Sequence, residues 1–384
     1  MKKLIFLAFP LLFLASSCKV DFSPNAEWKD VPVVWCVLDQ LDDTTWVRVQ
    51  RCYIGNDNLY NFTQVSDSIY YAQDEIAVTI EKWKGKPSGS DEYNLVADGD
   101  KPVDTKTFTY TLRDIKERGL FASGMQPVYY AVTKNWLKPE FVYKLVVSNT
   151  ESGEPVATAT TLLVGTKIDR SNPYKLDLTD LEQPNPQIQA HKEFRFASNG
   201  KCMLVWKSLV RGRLYQPVVR FYYYHKYLGP DNQYHNDMSK KYSIDVSAQE
   251  SEPQIGNPAE MSTYVDASFF YSSIREAIVA SGDNEPKGFC DTVDILMNVC
   301  NEDLNAYMSS SRPSNTVVQD RVVYSNINDG AGVGVFAARR TPHVFYDENG
   351  AISSTSFIFT VPTNNESGGA YRQGLKDLGV GFER

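Results

Sequence analysis

The sequence predicts a mainly β protein: an immunoglobulin-like N-terminal β-sandwich, then a larger β-rich domain with one or two short helices. Three observations carry this prediction. Short segments alternate apolar and polar residues, polar turns separate them at close spacing, and long helical periodicity is absent ahead of residue 166.

The segments follow in order. Val31 to Leu38, V-P-V-V-W-C-V-L, is a compact apolar run, and Asp39 to Thr44 turns the chain. Thr45 to Cys52, T-W-V-R-V-Q-R-C, alternates with the two-residue period of a half-buried strand, as does Ile76 to Trp83. Lys84 to Asp91, K-G-K-P-S-G-S-D, reads as a connection. Phe108 to Leu112 and Val128 to Val132 continue the series. Glu140 to Ser148, E-F-V-Y-K-L-V-V-S, is its clearest member; N-T-E-S-G-E-P then reverses the chain into Val156 to Val164. Prolines at 173, 184 and 186 punctuate a less regular stretch, which places a domain boundary near 166–190. The sandwich is therefore expected over 31–166 and the second domain over 167–384.

In that second domain, Lys201 to Lys207, Val218 to His225, Lys241 to Ala248, Phe289 to Val299 and Ser356 to Val361 read as strands. Ala267 to Ser281 reads as a helix, because Phe270, Ile274, Ala277 and Ile278 recur at spacings of three and four. Asn301 to Met308 reads as a short helix capped by Asn301, with Leu304, Tyr307 and Met308 on one face.

The N-terminus carries a different message. Lys2 and Lys3 precede an apolar run from Leu4 to Leu14, and Ala15-Ser16-Ser17 leads into Cys18. This is the layout of a secretion signal over 1–17. The Cys18 thiol is a nucleophile able to carry a thioether-linked diacylglycerol, and two or more acyl chains give stable anchoring. Residues 18–30 are then a lipidated tether, and the membrane is a partner through that anchor.

The composition argues against several classes of function. A formal charge of -8 with no basic patch gives no footprint for nucleic acid. The four histidines (His191, His225, His235 and His343) are scattered, and no C-x-x-C occurs, so no metal site is expected. Asp39, Asp42 and Asp43 lack the regular ligand pattern of a calcium loop. No G-x-S-x-G elbow anchors a hydrolase, and the glycines near residue 330 lack the strand–helix context of a nucleotide site. No catalytic residue and no cofactor are assigned. The cysteines read as structural: Cys36 with Cys52 and Cys290 with Cys300 are candidate disulfides, and Cys202 reads as a buried small hydrophobe.

Two candidate surface features remain. The tract Phe221-Tyr222-Tyr223-Tyr224, with Tyr215 and Tyr227, sends alternate rings inward as core and outward, where they can stack on sugars or protein. Asp43-Thr44-Thr45 matches a short O-glycosylation pattern, which makes Thr44 a candidate modification site, given an exposed loop.

A family pattern runs through these segments. Its elements are L-A-S-S-C before the mature chain, V-V-W-C-V-L from Val33, V-Y-K-L-V-V from Val142, E-S-G-E-P from Glu151, A-T-A-T-T from Ala157, D-L-N-A-Y-M from Asp303, and V-Y-S-N-I-N-D-G-A-G-V-G-V-F from Val323. Together they resemble the DUF4249 family of Bacteroidetes lipoproteins, which typically ends in a serine-asparagine-isoleucine, a glycine-rich turn and a valine-phenylalanine. Here the counterparts are Ser325, Asn326, Ile327, Gly330, Gly332, Gly334, Val335 and Phe336; the Gly332-Val333-Gly334 spacing departs from the family. Physically, the glycines allow a tight loop that lets both Ile327 and Phe336 enter the core. The resemblance implies no established enzymatic activity. It implies an outer-membrane accessory or binding protein, associated with a TonB-dependent transporter, another envelope protein or a glycan. An enzyme acting on extracellular glycan or peptide, and a structural surface or fimbrial component, are the alternatives. The membrane face is left open.

Overall fold

The computed structural model describes residues 31–52, 69–89, 91–115, 124–165, 200–207, 209–251, 260–312, 323–341 and 373–382, with short pieces at 194, 196, 345–346, 352–353 and 356–358. It is a mostly β-strand fold with two principal sheets and few short helices.

The larger sheet has nine strands. Eight run in the order β12 (Tyr234–Ser247), β11 (Leu214–Leu228), β14 (Lys287–Cys300), β15 (Val333–Arg340), β1 (Pro32–Asp39), β2 (Thr44–Arg51), β7 (Met125–Val132) and β6 (Thr109–Asp114). The ninth, β18 (Ser356–Ile358), pairs with β14. The second sheet orders β4 (Asp91–Asp98), β3 (Ile76–Ser88), β8 (Phe141–Asn149) and β9 (Pro155–Leu162), with β5 (Asp104–Thr107) also on β3. Two small ladders pair β10 (Lys201–Lys207) with β13 (Glu260–Asp266), and β16 (Phe345–Tyr346) with β17 (Ile352–Ser353).

Alternation decides which side chains enter the core. In β1, Val34, Cys36 and Leu38 point inward; in β2, Val47 and Val49 do. They join Val78 and Ile80 of β3, Leu145 and Val147 of β8, and Ala157 and Ala159 of β9 in one buried cluster drawn from both sheets. A second cluster surrounds helix α1 (Ala267–Ser281), whose buried face is Phe270, Ile274 and Ile278. Asp266 caps α1 by accepting from the Ser268 and Phe269 amides, and Gly282 ends it in the left-handed conformation.

One parallel contact joins the two ends of the chain. β15 runs beside β1 from Val33 opposite Val333 to Asp39 opposite Arg339, so Ile327, Phe336 and Ala338 complete the N-terminal core. Most of the stretch 166–190 lies outside the described residues, but the large sheet draws strands from both sides of it. Any two-unit division must therefore assign β15 to the first unit, out of chain order.

The register rules out both disulfides. Cys36 is free and sits opposite Val47, whereas the Cys52 amide bonds to the Val31 carbonyl at the far end of the same ladder. Five positions at about 3.4 Å each separate them, far beyond disulfide reach. Cys290 and Cys300 both lie in β14. The seven regular steps from Val293 to Cys300 alone span about 23 Å. Two cysteines that flank one strand cannot meet, because a strand is a spacer. Cys36 is fully packed, and burial pushes its thiol up.

Candidate functional site

Of the sequence candidates, Cys18 lies outside the described residues. Thr44 begins β2 opposite Val132 and is half-buried, so it is a strand residue and not the exposed loop that the modification needs. Asp39 is buried beside Arg339, which also meets Asp42, while Asp43 pairs with Lys134. Burial raises the Asp39 carboxyl against the Leu41 amide and Arg339. These acids are matched to cations, not gathered around a centre. No group of three or more potential metal-binding side chains occurs among the described residues.

The glycine-rich turn is a clamp. Asn328, Asp329 and Gly330 all have positive φ, at 50°, 53° and 92°. This left-handed run drives Ile327 inward, and Phe336 follows on β15; both are completely buried. Asn328 accepts from the Thr158 amide and donates to the Val156 carbonyl, while Asn326 exchanges both kinds of bond with the Phe336 backbone. Gly330 supplies conformation, Gly332 packs on Ile327, and Gly334 supplies close approach to β1. Helix α2 (Glu302–Ser311) completes the seam: Asn301 caps it, and Asp303 accepts from Thr161 and Tyr324. No residue of α2 is fully buried, so its expected apolar face is only half-covered.

The tyrosine tract divides by face, and most of its rings are taken up by packing and polar contacts. Tyr215 is fully buried, with its hydroxyl turned back on the Leu209 backbone. Tyr223 is core as well. On the opposite face, Tyr222 donates to Asp294 at 2.5 Å and carries Lys241 over its ring, beside the bidentate Arg220–Asp245 pair. Tyr224 is half-buried, and Tyr227 alone is open, 55% exposed at the hairpin end. The cross-strand polar ladder uses what the sequence offered as free rings.

His225 and His235 do not meet as a pair; each bonds its own aspartate. Asp283 accepts from Tyr223 and His225 through one oxygen, both at 2.9 Å, and from Lys287 and the Glu285 amide through the other. Lys287 is wholly buried, and it also donates to the Asp283 and Glu285 carbonyls. Burial alone raises the Asp283 carboxyl, but hydrogen bonds from His225, Tyr223, Lys287 and the Glu285 amide overcome it and hold the group at about 2. A depressed carboxyl contributes stability above its unfolded value and loses it as pH falls toward the folded one. Thermal stability is therefore expected to fall between pH about 4 and about 2, and Asp283→Asn to lack that part of the fall. An unchanged acid limb in that variant counts against the tie.

The exposed aromatic surface lies elsewhere, on the outer face of β1, β2, β7 and β6. The alternation that buries Val47 and Val49 turns Trp46 and Arg48 outward. Trp46 stands opposite Tyr130, with ring centroids 5.3 Å apart, and is 38% exposed. Arg113 of β6 reaches across β7 to lie 4.5 Å from the Trp46 ring. Arg48 lies 5.2 Å from Trp35 on β1, whose indole donates to the Tyr307 hydroxyl of α2. Val132, at the next rung, is open to solvent. Sequence reasoning passed over this surface, although its signal was present: a tryptophan in the polar phase of T-W-V-R-V-Q-R-C.

Aromatic rings with flanking guanidinium groups can stack on planar or ring-shaped partners. Among the described residues no helix is long and apolar enough to cross a membrane. No family model matches the chain, and no curated protein matches it.

Proposed function

We propose that this protein is a non-catalytic outer-membrane lipoprotein with an accessory or binding role, anchored through Cys18 and binding its partner on the Trp46–Tyr130 face. The carrying observation is the exposed Trp46 stacked beside Tyr130 on that outer face. A surface tryptophan costs solvation unless something covers it, and exposed aromatic patches commonly mark interaction sites. The partner is a transporter of the TonB-dependent class, another envelope protein or a glycan. Membership of the DUF4249 family rests on the resemblance alone.

The proposal includes an immunoglobulin-like sandwich over the N-terminal half. Supporting it, two antiparallel arrays, β1-β2-β7-β6 and β4-β3-β8-β9, contribute to one buried cluster. The larger β-rich region of 167–384 forms the rest and lends β15 to the first.

The anchor is tested directly. Cys18→Ala is expected to release the protein from membranes or to trap its precursor, read by fractionation and mass measurement. Full membrane retention of a correctly processed Cys18→Ala protein refutes the anchor.

A further inference from the structure

The two arginines on the aromatic face point to the ligand's charge. Resting on the binding role proposed for that face, we infer that it takes an acidic polysaccharide, with Trp46 and Tyr130 under the sugar rings and Arg48 and Arg113 meeting carboxylate or sulfate groups.

Five other arginines among the described residues are matched to carboxylates: Arg51 to Glu75, Arg213 to Glu302, Arg220 to Asp245, Arg312 to Glu250 and Arg339 to Asp39, while Arg211 donates to the Leu163 and Pro139 carbonyls. Arg48 and Arg113 meet no carboxylate among the described residues; each lies against a tryptophan. The Arg48 Nε is buried and has no hydrogen-bond acceptor. That nitrogen is closed to an incoming ligand, so it is the rest of the guanidinium fork, which an anionic oxygen suits best, that a bound carboxylate or sulfate would meet. Asp39 and Asp43, at the turn between β1 and β2, are held by Arg339 and Lys134, and Asp114, next to Arg113, falls in the opposite phase of β6. Both arginines fall in the outward phase of their strands with Trp46, and β7 alone separates β2 from β6. An aromatic floor recognises sugar rings of any charge; the paired guanidinium groups select the charged ones.

The full mature chain is titrated with polygalacturonate, dextran sulfate and neutral dextran, following tryptophan fluorescence and affinity electrophoresis. Binding to one or both anionic polymers, weakened by salt, and none to neutral dextran is expected. Arg113→Gln and Arg48→Gln are each expected to weaken it about tenfold, and Trp46→Ala about thirtyfold or more. Arg220→Gln, on the other end of the sheet, is expected to leave it unchanged. Equal binding to neutral dextran, or anionic binding indifferent to Arg48 and Arg113, overturns the inference. So does no binding to either anionic polymer. The binding role is scored separately, by capture of envelope partners with wild-type and Trp46→Ala protein in mild detergent. Trp46-dependent capture of a protein with no polymer binding rejects the acidic glycan and keeps the face. Capture and polymer binding that both ignore Trp46 reject the face itself.

Discussion

Gly334→Ala is expected to destabilise the protein by about 4 kcal/mol, at the severe end for a single methyl group. Gly334 has φ of 111°, a region that residues with a Cβ rarely adopt, and it lies opposite Val34 in the parallel ladder. A Cβ there would sit 1.9 Å from the Val34 carbonyl oxygen, with two more Val34 backbone atoms within 3.0 Å. Backbone cannot swing aside as a side chain can, so β15 must peel from β1 and withdraw Phe336 from the core. Gly153→Ala is the control: its φ of 73° is also positive, but a Cβ there meets nothing within 4 Å. Its cost should be about 1 kcal/mol, the price of conformation alone. Urea denaturation of both variants gives the comparison. Equal losses would show that close approach at Gly334 contributes nothing.

Asn301→Ala should cost about 3 kcal/mol, from several hydrogen bonds lost together at a buried position. The Asn301 amide group donates to Thr161, the Leu162 carbonyl and Asp303, while its oxygen accepts from the Leu304 and Ala338 amides. One side chain thus joins β9, α2 and β15. Truncation strands the Ala338 amide as well as removing the helix cap, whereas an exposed cap loses only about 1 kcal/mol. Asn301→Asp retains the acceptor but sets a second carboxylate against Asp303 and the Leu162 carbonyl, so it should cost at least as much. An alanine variant within experimental error of wild type would reduce Asn301 to a surface cap.

Local pattern made much of this legible. The spacing of Phe270, Ile274 and Ile278 gave α1 with its correct inward face, and E-F-V-Y-K-L-V-V-S gave β8. Asn301 before D-L-N-A-Y-M gave the cap of α2, because capping is a local bond between neighbours. Polar strands hid themselves. β4, β5 and the N-terminal half of β12 lack alternation because they are edge or solvent-facing strands, where no core selects one face. Pairing was legible only between chain neighbours, as where the turn after β8 reverses it into β9; the long-range partners, β15 against β1 above all, were not. The cysteine bridges failed because proximity in sequence and proximity in a ladder are different quantities. The aromatic surface was missed because a run of tyrosines drew notice, while the informative residue was one tryptophan out of phase.

The parallel seam between β1 and β15 sets a timetable. Asp39 and Arg339 are ion-paired across 300 positions of sequence. Polypeptides leave the ribosome, and thread through translocation channels, amino end first. β1 therefore emerges some 300 residues before its second neighbour exists. Until then one edge of the N-terminal sheet is raw, with unpaired backbone groups and an unfilled gap where Phe336 belongs. Long-range closure of this kind is slow and leaves intermediates that associate readily. A strand that arrives late acts as the latch of the first, so the N-terminal half reaches its final stability only after β15 has emerged.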